Sequence, residues 1–225
     1  MDRDSLNNGR MLPCRKELKM RRIAIALAFL LAFSVSAVAQ EDEAAIRAHI
    51  NQSASLIETL EGRFTQTKYM SMLDEKMISQ GVIYYAKGNK LRWEYNTPYK
   101  YTFILNGSTV VLETGERSDA IDVNQSKVFK EIARIMMNSV TGHCIDDGRD
   151  FEASISSSDG QWVATLVPLN RNLRALFDTL VLHYDRNAAV VTRVELLEKN
   201  GDRTVIELQD IKTNRSLDES VFDVN

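Results

Sequence analysis

Short runs of aromatic and β-branched residues, separated by Gly, Pro and Asn-Gly breaks, fill the sequence between residues 62 and 107. The runs are Gly62–Thr67, Gly81–Tyr85, Leu91–Pro98 and Tyr101–Gly107. Residues of these types favour extended strands, and the breaks between them favour tight turns that join antiparallel neighbours. The block therefore predicts consecutive antiparallel strands, each paired with the next along the chain.

Two amphipathic helices are predicted outside this block. The first follows from apolar residues at helical spacing between positions 46 and 60, and we expect Gly62 to end it. The second covers 128–140, where another apolar face recurs. Together with roughly nine to eleven predicted strands, the helices favour a mainly β (α+β) fold. We expect a strongly curved antiparallel sheet, an incomplete (unclosed) barrel covered on its concave side by the helices.

The longest predicted hairpin runs from Phe64 to Leu73, turns at residues 74–76 and returns from Met77 to Ala86. This places Met70, Met72 and Met77 in strands rather than in turns. Methionine is flexible and fills irregular apolar space, so these side chains suit either an adaptable pocket or an ordinary core.

Residues 1–39 have the features of a cleaved export signal. Three basic residues between positions 19 and 22 precede the apolar run 23–33, and Ala37-Val38-Ala39 follows as a small-x-small cleavage site. The run is shorter than the roughly 20 apolar residues that span a bilayer. We expect cleavage after Ala39 and an exported mature protein, which the family resemblance described below would place in the periplasm. Met20 is an alternative start of translation, because the polar residues before it add nothing that an export signal needs.

The composition of residues 40–225 limits the classes of function. They hold 21 Lys and Arg against 28 Asp and Glu, a net charge of −7. Basic patches supply most of the attraction to nucleic acids, so this acidic chain is not expected to bind them. Cys144 is the one cysteine that remains, which excludes an internal disulfide, and Gln40 stands where a lipid-anchored protein needs Cys. One domain over residues 40–225 fits this length.

The order of the strands and turns resembles the LolA family of periplasmic carriers of outer-membrane lipoproteins. In that family a Phe-x-Gln strand, a Gly-led strand, a basic turn, a strand ending in Trp-x-x-x-x-Pro and a strand ending in Asp/Asn-Gly follow one another. Here the matching residues are Phe64-Thr65-Gln66, Gly81, Trp93 to Pro98 and Asn106-Gly107. The resemblance implies an incomplete barrel whose open side is covered by helices, with an apolar space that admits acyl chains.

The resemblance also implies a function and partners. A member of this family would carry acylated lipoproteins or other lipids from the inner to the outer membrane, without a cofactor and without catalysis. Its partners would be an inner-membrane ABC transporter complex and an outer-membrane acceptor. The alternative is a periplasmic envelope-assembly or interaction module that binds a peptide or protein segment on the same concave face, because a fold alone does not define a function.

Candidate lipid-binding residues follow from their positions in the family pattern. By this resemblance Leu91 and Trp93 line the cavity, and Phe129, Ile132 and Met136 belong to the helix that covers it. Further candidates for the cavity and its lid are Met137, Tyr84, Phe103 and Leu105. A register slip of one residue would turn a strand residue to the opposite face, and filling an ordinary core is the alternative role for all of them.

The turn before the Trp strand departs from the family pattern. The family places an Arg followed by Pro there, and this Arg bonds to carbonyl groups of the lid and keeps the empty carrier closed. Here Lys87-Gly88 stands in its place. Lysine lacks the planar guanidinium fork, so Lys87 is a candidate gate, with a solvated turn lysine as the alternative.

One polar cluster could suggest an enzyme. His143-Cys144 is followed by Asp146, Asp147 and Asp150. A nucleophilic thiolate needs a base at hydrogen-bond distance, which adjacent residues seldom present, and no spacing matches a metal site. We therefore expect a binding protein rather than an enzyme, with no catalytic residues, metal site or cofactor.

Overall fold

The computed structural model describes residues 42–115, 117–122, 136–138, 141, 145, 148 and 150–223. Within them the helices are α1 (Glu43–Ser55) and α2 (Arg171–Leu176), and a 3-10 helix spans Glu219–Phe222. The first six strands are β1 (Thr59–Met70), β2 (Glu75–Ala86), β3 (Lys90–Thr97), β4 (Tyr101–Asn106), β5 (Thr109–Thr114) and β6 (Arg117–Asp122). The other five are β7 (Phe151–Ser158), β8 (Gln161–Pro168), β9 (Phe177–Asp185), β10 (Val191–Glu198) and β11 (Arg203–Thr213).

All eleven of these strands belong to one antiparallel sheet, in the order β6-β5-β4-β3-β2-β1-β11-β10-β9-β8-β7. Almost every strand pairs with its neighbour in sequence, and the pairing of β1 with β11 joins the two halves of the chain. β6 and β7 are the two edges and do not pair with each other, so the curved sheet is not closed into a barrel. This confirms the predicted fold class.

One face of the sheet, here called the inner face, carries the main core. Because side chains alternate between faces, the register brings matching residues of neighbouring strands side by side. One such row across β1 to β5 contains Leu60, Tyr85, Leu91, Leu105 and Val110, all buried. The inner face of β7 to β11 is equally apolar, so both halves of the sheet contribute to one core.

Helix α1 covers the inner face beside β7 and β8. The Asp42 side chain accepts a hydrogen bond from the Ala44 amide and caps the helix. Ile46 and Ile50 are buried on its apolar side, and the His49 ring meets the Trp162 indole edge-on at 5.2 Å between centroids. The helix thus buries its apolar side at β7 and β8.

The prediction that α1 continues to Gly62 is wrong. The helix ends at Ser55, and the next residues already pair with two strands: the Glu58 carbonyl accepts from the Lys87 amide, and the Thr59 carbonyl accepts from the Asn214 amide. Leu60 is buried from strand β1, where its apolar character serves the sheet rather than a helix. Gly62 lies inside β1 at an irregularity in the pairing with β11.

The hairpin between β1 and β2 also differs from its predicted form. β1 ends at Met70, and the turn covers residues 71–74 instead of 74–76. Met72 and Leu73 therefore lie in the turn, where 91% and 63% of their surface is exposed. The sequence placed Met72 in a strand because it extends the apolar run, but no neighbouring strand covers this end of the hairpin.

The second predicted helix lies mostly outside the described residues. Residues 136–138 and 141 are helical, within the expected range. Met136 and Met137 are half-buried and pack against the core.

The outer face of β3 to β5 is sealed by the C-terminal 3-10 helix. Phe222 is buried there, as are Ile104 and Val111 on the outer side of the strands. Arg92 and Asn106 donate side-chain hydrogen bonds to the carbonyl groups of Val221 and Phe222. Side chains on both faces of these strands are thus buried.

Gly81 permits a close approach between three strands. A Cβ atom at this position would lie 1.8 Å from the Glu94 carbonyl oxygen of β3 and 2.7 Å from a ring carbon of Phe64 in β1. The register of β2 and β3 shifts between Gln80 and Gly81, which brings this carbonyl over the glycine. The strands can pack in this way only because residue 81 has no side chain.

We predict that Gly81→Ala destabilises the protein by more than about 3 kcal/mol, because backbone atoms cannot yield as a flexible side chain can. Gly62→Ala is the matched control, since its nearest contact would be 3.3 Å and should cost about 1 kcal/mol or less. Urea unfolding of both variants measures the two changes. Equal unfolding free energies for the two variants would contradict the role assigned to Gly81.

Candidate functional site

Four of the strand residues predicted to bind lipid meet on the inner face. Trp93 pairs with Phe103, and Leu91 pairs with Leu105, so the four form two adjacent rows across β3 and β4. All four are buried, with Leu91 wholly inaccessible. The inner face of β1 to β5 is therefore the candidate site, and its floor is apolar.

Aromatic rings form the centre of this floor. The Phe64 ring lies 5.0 Å from both the Trp93 and the Tyr95 ring, and Tyr95 lies 5.8 Å from Tyr101. The tilted and edge-on arrangements are those that aromatic pairs prefer. We call Phe64, Trp93, Tyr95 and Tyr101 the aromatic floor.

Two polar groups stand in the aromatic floor. The Tyr95 hydroxyl donates to the Gln66 side-chain oxygen at 2.9 Å. Burial raises the pKa of Tyr95 to about 12, with Tyr101 adding to the rise, while Trp93 and Gln66 oppose it. The phenol therefore stays protonated, and the floor stays uncharged, throughout the physiological pH range.

The indole Nε1–H of Trp93 is the second polar group. Trp93 is only 4% exposed, and no acceptor meets hydrogen-bond geometry with this donor among the described residues. The Tyr95 oxygen is near enough for the indole to lower the pKa of Tyr95, but the contact falls short of a formed hydrogen bond. A buried donor without a partner is costly and unusual in a folded protein, so this one needs an explanation.

Tyr84, also predicted to face the cavity, lies on the opposite face. It pairs with Glu61 and Arg92, and it lines a polar surface hollow with Arg63 and Lys212. Tyr84 is therefore not part of the apolar floor. The alternation of β2 accounts for this, since Ile83 and Tyr85 point inward on either side of it.

Lys87, the candidate gate, forms an ion pair at the protein surface. Its ammonium group lies 2.6 Å from the Glu58 carboxylate, and both side chains are more than half exposed. The hydrogen bond from Lys87 to Glu58 raises the pKa of Lys87. In the part of the chain that the structure describes, the Lys87 ammonium group donates its one side-chain hydrogen bond to Glu58.

Arg47 of α1 makes the kind of contact that the family pattern assigns to the turn. Its guanidinium group donates to the main-chain carbonyl groups of Ile145 and Ala153 and also binds Glu43. It thus ties α1 to β7 and to the segment that precedes β7. Nothing in the sequence singled out Arg47, which reads as one polar residue on the exposed side of an amphipathic helix.

The remaining predicted lid residues are placed only in part. Phe129 and Ile132 lie outside the described residues. Met136 and Met137 pack against the core from the helical segment between β6 and β7. They are the described members of the predicted lid.

Sequence reasoning missed several floor residues. Phe64 and Tyr95 belong to the aromatic floor, and Ile83 and Tyr85 flank it on β2. Alternate residues of a strand share a face, so the prediction that Trp93 faces inward also implies that Leu91 and Tyr95 do. The Phe-x-Gln motif contains both Phe64 and the Gln66 that binds Tyr95, so these residues could have been found from the sequence.

The polar cluster after the second predicted helix is mostly outside the described residues, including His143-Cys144, Asp146 and Asp147. Asp150 is buried, its carbonyl accepts from the Leu169 amide, and its carboxylate accepts from Asn170. It therefore serves the packing between β7 and β8. Among the described residues, no group of three or more His, Cys, Asp or Glu could hold a metal ion.

Comparison with known proteins identifies the family. A sequence model described as "Outer membrane lipoprotein carrier protein LolA" matches residues 55–225. The chain belongs to the LolA family. Among LolA relatives, the outer-membrane lipoprotein carrier protein of Azotobacter vinelandii is 26% identical over 91% of this chain and 94% of its own length. The outer-membrane lipoprotein carrier protein of Coxiella burnetii is 23% identical over 90% of this chain and 92% of its own length.

Solved structures share the fold at low identity. A complex of MucA and MucB from Pseudomonas aeruginosa gives a TM-score of 0.50 at 12% identity, covering 82% of this chain and 61% of that one. A LolA superfamily protein from Nitrosomonas europaea gives a TM-score of 0.42 at 10% identity, covering 79% of this chain and 97% of that one. At such identities the likeness concerns the fold alone.

Among the described residues, no helix is both long enough and apolar enough to cross a membrane.

Proposed function

We propose that this LolA-family chain is a periplasmic carrier that shields the acyl chains of lipoproteins on its inner face and moves them from the inner to the outer membrane. It would receive its cargo from an inner-membrane ABC transporter complex and deliver it to an outer-membrane acceptor or to the membrane itself. It performs no chemistry on the cargo and needs no cofactor. The observation that carries the proposal is the apolar aromatic floor in a family of lipoprotein carriers.

The free energy of exposing an acyl chain explains why such a floor is needed. Each buried methylene contributes about 0.8 kcal/mol, so several long chains cannot cross an aqueous compartment uncovered. Leu91, Phe103 and Leu105 supply apolar surface around the aromatic floor without a charged group among them. Met136 and Met137 would complete the enclosure from the segment above, with flexible side chains that adapt to different guests.

We predict that Met136→Asp lowers uptake of a fluorescent fatty-acid probe at least about tenfold, because a carboxylate would be placed against an apolar guest. Met72→Asp is the matched control: the same substitution at a residue 91% exposed in the hairpin turn should leave uptake unchanged. Probe titration of both variants and of the wild type measures this, with circular dichroism to establish that each is folded.

The wild type should also carry acyl lipids when purified from a lipid-containing host, as extraction and mass spectrometry would show. A wild-type protein that neither carries acyl lipid nor binds the probe would favour the alternative function, a module that binds a peptide or protein segment on the same face. The fold neighbour from Pseudomonas aeruginosa, whose structure is of two proteins in complex, keeps that alternative in view.

The indole Nε1–H of Trp93, which meets no acceptor in hydrogen-bond geometry among the described residues, gives the proposal a more specific test. We propose that its Nε1–H donates to a carbonyl oxygen of the bound lipid, such as that of an acyl ester. Trp93→Phe retains an aromatic ring beside Phe64 but removes the donor. It should weaken binding of a fatty-acid methyl ester about three- to tenfold more than binding of an alkyl chain that lacks the carbonyl group. Probe displacement by the two competitors measures the ratio, and an equal loss for both would remove this role.

We further propose that residues 1–39 are an export signal and that residues 40–225 form a single carrier domain. The signal has a basic start, a short apolar run and a small-x-small end. The exported protein should begin at Gln40, which amino-terminal sequencing of the periplasmic fraction would reveal. Ala39→Pro should block cleavage and leave the longer chain membrane-associated. A mature terminus that retains the apolar run would refute the assignment.

A further inference from the structure

Exposed apolar side chains are concentrated at one end of the sheet. Eleven large hydrophobic side chains are exposed among the described residues. Ten of them lie at or near the end where β1 passes into β2, here called the hairpin end: Tyr69, Met72, Leu73, Met77, Ile78, Tyr99, Val167, Leu169, Leu176 and Leu197. Leu56 alone lies at the opposite end, beside Asn214. Single exposed apolar residues are ordinary, but such clustering marks an interaction surface.

The hairpin carries exposed apolar side chains on both faces and at its turn, alongside the charged Asp74, Glu75 and Lys76. Tyr69 and Ile78 point to the outer face of the sheet, and Met70 and Met77 point to the inner face. Leu73 and Met72 occupy the turn between them. Apolar side chains that project in several directions suit a fluid phase that closes around them, whereas a protein partner would cover one flat face.

The hairpin is held in place by polar contacts behind the exposed turn. The Ser71 amide donates to the Asp202 carboxylate at 3.0 Å, and the Lys68 ammonium group binds Glu198 at 3.0 Å. The Arg203 guanidinium group lies 4.7 Å from the centre of the Tyr69 ring. These contacts attach the end of β1 to the turn between β10 and β11. They hold the hairpin turn in a defined position while its apolar side chains remain exposed.

The charges at this end do not oppose a phospholipid surface. Lys76, Lys100, Arg171 and Arg174 are exposed there, and none forms an ion pair within the described residues. Asp74, Glu75 and Glu152 balance most of this charge. The end is therefore close to neutral although residues 40–225 carry a net charge of −7. Attachment would depend on apolar insertion, with the long cationic side chains able to reach phosphate groups.

We propose that the hairpin end docks on a lipid bilayer, with Met72 and Leu73 inserted among the acyl chains and Tyr69 and Tyr99 at the level of the headgroups. Tyrosine favours this interface, because its ring is apolar and its hydroxyl is polar. The docking surface is separate from the aromatic floor, and the proposal holds whichever guest the inner face takes.

The test is flotation of the exported, processed protein with vesicles of phosphatidylethanolamine and phosphatidylglycerol. The wild type should float with the vesicles at low and at high salt, because insertion is not a charge interaction. The double variant Met72→Asp with Leu73→Asp should lose at least about tenfold in the partition coefficient, since even one fully buried side chain of this size is worth about that factor.

Leu56→Asp is the matched control, because Leu56 and Leu73 are both 63% exposed but lie at opposite ends of the sheet. It should float as the wild type does. A wild type that stays in solution, a double variant that still floats, or an equal loss in Leu56→Asp would each overturn the proposal. A wild-type dimer that the double variant dissociates would also overturn it, since a second copy would then cover the hairpin end.

Uptake of the fatty-acid probe from solution separates this proposal from the proposed carrier function. The double variant should take up the probe as the wild type does while failing to float. If neither protein takes up the probe, the carrier function fails, and the flotation result still decides the docking surface.

Discussion

The candidate site depends on one close contact, that of Gly81 with Phe64 and the Glu94 carbonyl group. It holds β1, β2 and β3 at a spacing that no side chain at residue 81 would allow. Because the side-chain period of a strand is two, a slip of one residue at this contact would exchange the faces of β3. Arg92 and Glu94, which now form an ion pair on the outer side, would then replace Leu91 and Trp93 on the inner face. The apolar floor exists because this register is enforced.

The same register divides rigid from flexible apolar surface. The aromatic floor consists of rings that pack against one another and leave few rotamers open. The methionines lie elsewhere: Met136 and Met137 on the helical segment between β6 and β7, and Met70 and Met77 towards the hairpin end. A carrier built in this way has a fixed wall and an adaptable cover. Variation among guests would be accommodated by the cover, since methionine side chains change shape at little cost.

Strand identity was predictable because the signal is local. Aromatic and β-branched runs such as Leu91 to Tyr95, with Asn106-Gly107 as a turn, form the expected neighbouring strands. The predictions that failed concerned residues whose structure depends on partners far away in the sequence. Leu60 fits a helical period, but the pairing of residues 58 and 59 with Lys87 and Asn214 draws it into the sheet. Tyr84 was predicted to face inward, but its neighbours Ile83 and Tyr85 do so instead. Met72 was predicted to lie in a strand, but it follows Met70, the last paired residue of β1. Arg47 shows the same limit, because its carbonyl partners are about a hundred residues away.

The proposed carrier function gives the exposed apolar residues a role, because an acyl chain that moves between two apolar phases is costly to expose to water. A chain of about 16 carbons that passed through water would expose methylenes worth roughly 12 kcal/mol, a barrier contribution that slows transfer by about nine powers of ten. A carrier avoids this only if apolar surface meets the donor or acceptor phase before the chain leaves it. Met70 and Met77 lie on the inner face in the same strands as Phe64 and Ile83. The Gln66–Ser79 pair and Lys68, which binds Glu198, lie on the same face between Phe64 and Met70. Exposed methionine and leucine at the hairpin turn would be a liability in a protein that met only water. Under the proposed function they are an advantage, because apolar surface at the hairpin end would meet the bilayer before the acyl chain leaves it.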